Sequence, residues 1–219
     1  MRIRFHANLV RQNIAGTEAD CALLLSKVKE PGVLLFDACT RMARARGDGA
    51  AERYRVDRWL ALTPTNPVPL FFRAQLNERE GRFDESRRDF EGVVAAAPDD
   101  PTNLNALAWV DVALGKFAEA RALADRAVAM APDAGVFHGT RCFALVGLDE
   151  PREAQAECAR AAALLPENLT YLGMIAFLDH RYDEARRAWE RASQDASQEP
   201  STARELGPWV ARLPGTTAP

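Results

Sequence analysis

The sequence predicts an all-α solenoid of antiparallel helix hairpins, and three observations carry that expectation. Prolines recur 34 residues apart at Pro64, Pro98, Pro132 and Pro166, with Pro200 next in the series. The first four each follow an alanine- or leucine-rich apolar stretch. Proline ends a helix there, because it lacks an N–H and disfavours helix in the residue before it. A second motif repeats between the prolines. It reads Gly81-Arg82-Phe83-Asp84-Glu85-Ser86, then Gly115-Lys116-Phe117-Ala118-Glu119-Ala120, then Asp149-Glu150-Pro151-Arg152-Glu153-Ala154, then His180-Arg181-Tyr182-Asp183-Glu184-Ala185. Each copy opens a helix with acidic residues in the first turn, which suits the helix dipole. Small residues then recur at spacings of four and three, as in Ala120, Ala124, Ala127 and in Ala154, Cys158, Ala161. That spacing places them on one helical face, where they let neighbouring helices approach.

Taken in order, residues 1–32 form a degenerate N-terminal hairpin or cap. Ile3, Ala7, Val10 and Ile14 trace a helical stripe, Gly16-Thr17-Glu18 reads as a turn, and Cys21 to Val28 is apolar and helical. Residues 33–66 are a weaker repeat: Gly47 marks the inter-helix turn, Gly49 replaces the aromatic and Trp59 replaces the later alanine. Residues 67–100, 101–134 and 135–165 are full copies. The copy at 166–199 is out of phase, since Ala161 to Ala192 spans 31 residues and not 34, with Asn168 or Thr170 as its N-cap. In 200–219, Thr202-x-x-Glu205 reads as a capping box. A short helix follows, interrupted near Gly207-Pro208, with Trp209, Val210 and Leu213 facing inward. A polar-faced terminal element of this kind covers the last apolar layer of a repeat array. The tail from Pro214 to Pro219 is expected to fray.

The chain resembles the tetratricopeptide repeat family. The resemblance rests on the period, the Leu107-Ala108 and Leu172-Gly173 pairs in first helices, the Gly-x-aromatic-x-Glu-Ala turn and the closing proline. It covers residues 67–197 well and 33–66 less well. It implies a right-handed superhelix of about five to six repeats plus a C-terminal capping helix. It also implies a concave groove, lined by the first helix of each pair, that holds a partner's peptide or helix. The groove positions are Phe71, Gln75, Asn105, Trp109, Phe143, Met174 and Phe177, with Arg41 and Arg44 at a basic end.

Phe71, Trp109, Phe143 and Phe177 would form an aromatic ladder, either a ligand surface, internal packing or a dimer contact. Aromatics and Met are common anchor residues, and a mostly apolar groove suits an amphipathic helix or hydrophobic segment. Asn105 fits a clamp for a peptide carboxylate, but Phe71, Gly139 and Phe143 stand where polar or basic residues would be needed. Arg73 and Arg141 occupy positions where the family has leucine, and Asp111 replaces its usual aromatic. A buried charge needs a partner. The expectation is a pair from Arg141 or Arg73 to Asp111, with an anion contact in the groove as the competing reading.

Composition excludes several functions. With 28 Lys+Arg against 31 Asp+Glu the net charge is −3, which gives no broad basic face for nucleic acid. No apolar run approaches the roughly 20 residues of a membrane span. Residues Met1 to His6 lead into no continuous apolar stretch, so no secretory signal is expected. The four cysteines Cys21, Cys39, Cys142 and Cys158 include no C-x-x-C pair. They read as reduced packing residues of a cytoplasmic protein, with no metal site. Lysine occurs only at Lys27, Lys29 and Lys116 while arginine and alanine abound, a composition read as bacterial and GC-rich. No H-x-x-x-H, G-x-S-x-G, P-loop or G-x-G-x-x-G is present, so neither catalytic residues nor a cofactor are expected. The functional expectation is a non-catalytic adaptor that binds another protein. The alternatives are a secretion-type chaperone holding an aggregation-prone client and a structural subunit of a larger enzyme or biosynthetic complex. Homodimer formation stays open.

Overall fold

The computed structural model describes residues 14–27, 33–194 and 202–214, with side chains for 20–27, 34–194 and 206–214. The described residues form twelve α-helices and no strand. They are α1 Ile14–Lys27, α2 Val33–Ala45, α3 Gly49–Leu62, α4 Pro67–Arg79, α5 Phe83–Ala96 and α6 Pro101–Ala113. Then follow α7 Phe117–Met130, α8 Gly135–Gly147, α9 Pro151–Leu164, α10 Leu169–Leu178, α11 Tyr182–Gln194 and α12 Thr202–Val210. The chain divides into two compact units, Met1–Leu76 and Asn77–Pro219.

The helix ends explain the repeat. Gly47, Gly81 and Gly115 take positive φ values of 69°, 76° and 72°, and Asp149 and His180 hold the same conformation at 60° and 61°. Each sits one residue past a helix cap and closes a Schellman turn. At α6, for example, Gly115 N–H donates to the Val112 carbonyl at 3.0 Å and Lys116 N–H to the Asp111 carbonyl at 2.8 Å. At the other end of each hairpin, α3, α5, α7 and α9 stop at a cap residue, and Pro64, Pro98, Pro132 or Pro166 comes next. The proline prevents the chain from continuing the helix. The phase change lies in α10, which has 10 residues where α8 has 13. Asn168 is its N-cap, accepting from the Thr170 N–H at 3.0 Å.

In the first unit α1 packs on α2 and α2 on α3. Trp59 stacks on Phe36 with ring centroids 5.6 Å apart and leans on Phe72 at 6.4 Å. One large ring thus fills the space that alanine leaves elsewhere. The turn expected at Gly16-Thr17-Glu18 is absent, because α1 runs through it without a break. A single glycine costs a helix only about 1 kcal/mol. The rest of the expected first hairpin, residues 1–13 and 28–32, and the frayed tail beyond Pro214 lie outside the described residues. So do the side chains of the Thr202–Glu205 capping box.

In the second unit each helix from α5 to α11 packs on the next, and α12 packs on α11. The small-residue face is at the centre. Ala120, Ala124, Ala127, Ala154, Cys158, Ala161, Ala185 and Ala192 are all fully or almost fully buried. Gly173 shows why the family pair Leu172-Gly173 ends in glycine: a Cβ there would collide with the indole of Trp189.

The cysteines overturn the sequence expectation. Cys21–Cys39 joins α1 to α2 with Cα atoms 5.7 Å apart, and Cys142–Cys158 joins α8 to α9 at 5.2 Å. Both distances lie in the ordinary range for disulfides. Pairing runs across neighbouring helices, so the absence of C-x-x-C spacing carried no information about it.

A helix-docking face on α6 and α8

α6 lies against α8 in the second unit. Asp100 caps α6, accepting from the Thr102 N–H at 2.8 Å, and Pro101 starts it. This fixes the rotation at which Trp109 leaves the last turns of the helix. The Trp109 indole meets Phe143 of α8 edge to face, with centroids 5.4 Å apart and planes at 82°. Phe143 is fully buried, whereas Trp109 is half-buried.

The C-terminal helix also packs on Phe143. Trp209 of α12 packs edge-on against Phe143 at 5.3 Å and against Phe117, the first residue of α7, at 6.1 Å. Leu206, Trp209 and Leu213 are 1%, 4% and 2% exposed. Leu206 and Trp209 share one face of α12, and Leu213 follows in the turn after the helix ends at Val210. Removing each from water contributes roughly 2 kcal/mol. The Arg212 guanidinium covers the outer side of the Trp209 ring at 5.1 Å, and Arg186 donates to the Pro214 carbonyl at 3.2 Å. α12 holds itself together poorly, since Pro208 inside it lacks an N–H. Docking therefore supplies most of its stability. Beside Trp209 a cleft of about 280 Å³ remains, lined by Trp109, Val112, Ala113, Phe117, Pro208 and Arg212.

The other expected groove residues separate into several settings. Asn105 is half-buried on α6, and its Oδ1 has no hydrogen-bond partner. Met174 is fully buried in the core of the second unit. Phe177 packs inside the last hairpin, 5.8 Å from Trp189 and 6.0 Å from Tyr182, so it does not extend the Trp109–Phe143 pair. In the first unit Phe71 and Arg73 are half-buried on α4. Arg41, Arg44 and Gln75 come together there, around Phe72. The guanidinium of Arg44 lies 4.7 Å and that of Arg41 5.1 Å from the Phe72 centroid. Arg44 also pairs with Glu52 at 2.9 Å and donates to Gln75 Oε1 at 2.5 Å, while Arg41 pairs with Asp37 at 2.9 Å. The expected basic end is thus a set of internal pairs.

Asp111 and Arg141 do not pair with each other. Asp111 is fully buried and accepts from Arg87 Nε of α5 at 2.6 Å. Burial pushes the Asp111 carboxyl above the usual carboxylate range, and the Arg87 hydrogen bond only partly counters that. The same bond raises the Arg87 guanidinium. Arg141 instead bridges Asp125 of α7 at 2.6 Å and Glu157 of α9 at 2.8 Å. The other Glu157 oxygen meets His138 Nδ1 at 2.7 Å, and His138 Nε2 lies 2.8 Å from the Pro132 carbonyl. The network ties α7, α8 and α9 together. Asp125 and Glu157 stand outside the family motif, and no spacing rule would have named them.

Among the described residues no group of three or more His, Cys, Asp or Glu could hold a metal ion. No helix among them is long and apolar enough to cross a membrane. An array of stacked helix hairpins defines a helical-repeat fold. Within that class the tetratricopeptide repeat family model matches residues 78–140. No curated protein matches the chain significantly by sequence. The fold extends beyond the matched stretch. A tetratricopeptide repeat protein from Parabacteroides merdae superposes with a TM-score of 0.72 at 11% identity, over 95% of this chain and 86% of that one. A thermophilic protein of the same kind from Thermus thermophilus gives 0.58 at 21% identity, over 78% and 95%. MamA from Desulfovibrio magneticus gives 0.61 at 16%, over 83% and 96%.

Proposed function

We propose that this chain is a non-catalytic adaptor that receives an amphipathic partner helix on the α6–α8 face. One observation carries the reading: a short helix already sits there, its tryptophan against Phe143 and Phe117. Aromatic anchors in desolvated pockets dominate the energetics of helix-in-groove recognition. The half-buried Trp109 and the cleft beside it supply the rest of the surface.

The two disulfides favour an oxidising compartment over the cytoplasmic setting expected from the sequence.

The test is affinity capture from source cells with the full chain and with Ala113→Arg. Ala113 is half-buried and lines the cleft at the end of α6, where a cation suits the helix dipole. A partner held by the wild type should be lost with Ala113→Arg while the helical circular dichroism is unchanged. Equal retention by both would move the interface off this face.

A further inference from the structure

Helix α12 does more than close the array. A terminal cap need only cover the last hairpin, and α12 does contact α11. Yet Trp209 reaches back to Phe143 on α8 and Phe117 on α7, and lines a cleft with Trp109 and Val112 of α6. Its grip rests on three side chains, Leu206, Trp209 and Leu213. Its helix runs unbroken through Gly207-Pro208, against the interruption expected there, but both residues are exposed and poor helix formers. The fit is also incomplete, because the cleft of about 280 Å³ stays open next to the Pro208 and Arg212 positions.

We propose that residues 202–213 are a built-in competitor for the α6–α8 face. The partner is an amphipathic helix with the same Leu-x-x-Trp pair and a further large apolar side chain at the position of Pro208. That side chain fills the cleft against Trp109, Val112 and Ala113, and stronger helix formers replace Gly207-Pro208. The inference deepens the adaptor reading and rests on it. The tail belongs to the same chain, so its local concentration is on the order of millimolar. A partner sees only the fraction of molecules whose face is open, which lowers its apparent affinity by that fraction. Binding is therefore gated, and weakening the tail should raise affinity for the partner.

The probe is a fluorescein-labelled peptide copying residues 201–214 with Gly207→Ala and Pro208→Phe, followed by anisotropy. The full-length proteins are wild type, Trp209→Ala and Trp209→Ala/Ala113→Arg. The expected result is binding to Trp209→Ala at least tenfold tighter than to wild type, and loss of at least tenfold when Ala113→Arg is added. If Trp209→Ala costs the fold, hydrogen exchange on the wild-type chain gives a second reading. Amides of 206–213 should lose protection as the peptide binds. Equal affinity for wild type and Trp209→Ala, or unchanged protection of 206–213, would make α12 a permanent cap and overturn the gating, while leaving the adaptor reading to its own capture test. A wild-type dimer that becomes monomeric on Trp209→Ala would place the tail on a second copy and likewise overturn it.

Discussion

Asp149 stands in a backbone conformation that costs an L-residue about 1–2 kcal/mol, because its Cβ crowds the following carbonyl oxygen. Gly47, Gly81 and Gly115 hold the equivalent positions without that cost. Asp149→Gly should therefore raise stability by about 1 kcal/mol in a urea or thermal titration, less what glycine adds to unfolded-chain entropy. His180 shares the geometry, but its ring nitrogen bonds the Tyr182 hydroxyl at 2.7 Å, so the gain there is smaller. Asp111 gives a pH-dependent contribution. Its folded-state carboxyl holds a proton to higher pH than the unfolded one. That contribution favours the fold at pH below the ordinary carboxylate range and is lost as pH rises through the raised value. Asp111→Asn keeps an acceptor for Arg87 and does not titrate. Urea unfolding of both proteins from pH 3.5 to 7 (about the span in which carboxylates titrate) should show the wild type losing stability relative to the variant. A difference that is constant across the range would contradict the assignment. At this scale the sequence showed that Arg141 and Asp111 needed partners. It did not show which, because Asp125, Glu157 and Arg87 become neighbours only through the stacking of helices.

The turns between helices were legible, since glycine or its substitutes, the acidic first turn and the closing proline act locally. The shortening of α10 was legible as well, from the 31-residue interval between Ala161 and Ala192. Disulfide pairing was not, because it depends on which side of each helix faces its neighbour. The bridges join α1 to α2 and α8 to α9 across separations of 18 and 16 residues. Loops of that length imply roughly 3 kcal/mol of stabilisation each, by restricting the unfolded chain. Reductant should thus lower the denaturation midpoint, and Cys142→Ala/Cys158→Ala should lose part of that sensitivity. An intact mass corresponding to four free thiols in protein isolated under acid trapping would remove both bridges from the account.

Over the whole molecule, the repeat period specified the fold class, because each hairpin is a local solution that recurs. The docking face was only half legible. Trp109 and Phe143 were named from the register of the first helices, and their contact is real. Phe177 was wrongly joined to them, since the short α10 turns it towards Trp189. Trp209, Val210 and Leu213 were expected to face inward, and Trp209 and Leu213 are buried while Val210 is half-buried, but the position of Trp209 over α8, two hairpins' worth of sequence away, was not readable. The central claim is that the α6–α8 face binds an amphipathic helix. Isothermal titration calorimetry of Trp209→Ala with the 201–214 peptide carrying Gly207→Ala and Pro208→Phe tests it most directly, run at several temperatures with and without Ala113→Arg. The account predicts one-to-one binding with a negative heat-capacity change, the mark of apolar burial, abolished by Ala113→Arg. No binding to a folded Trp209→Ala chain, or binding indifferent to Ala113→Arg, would contradict it.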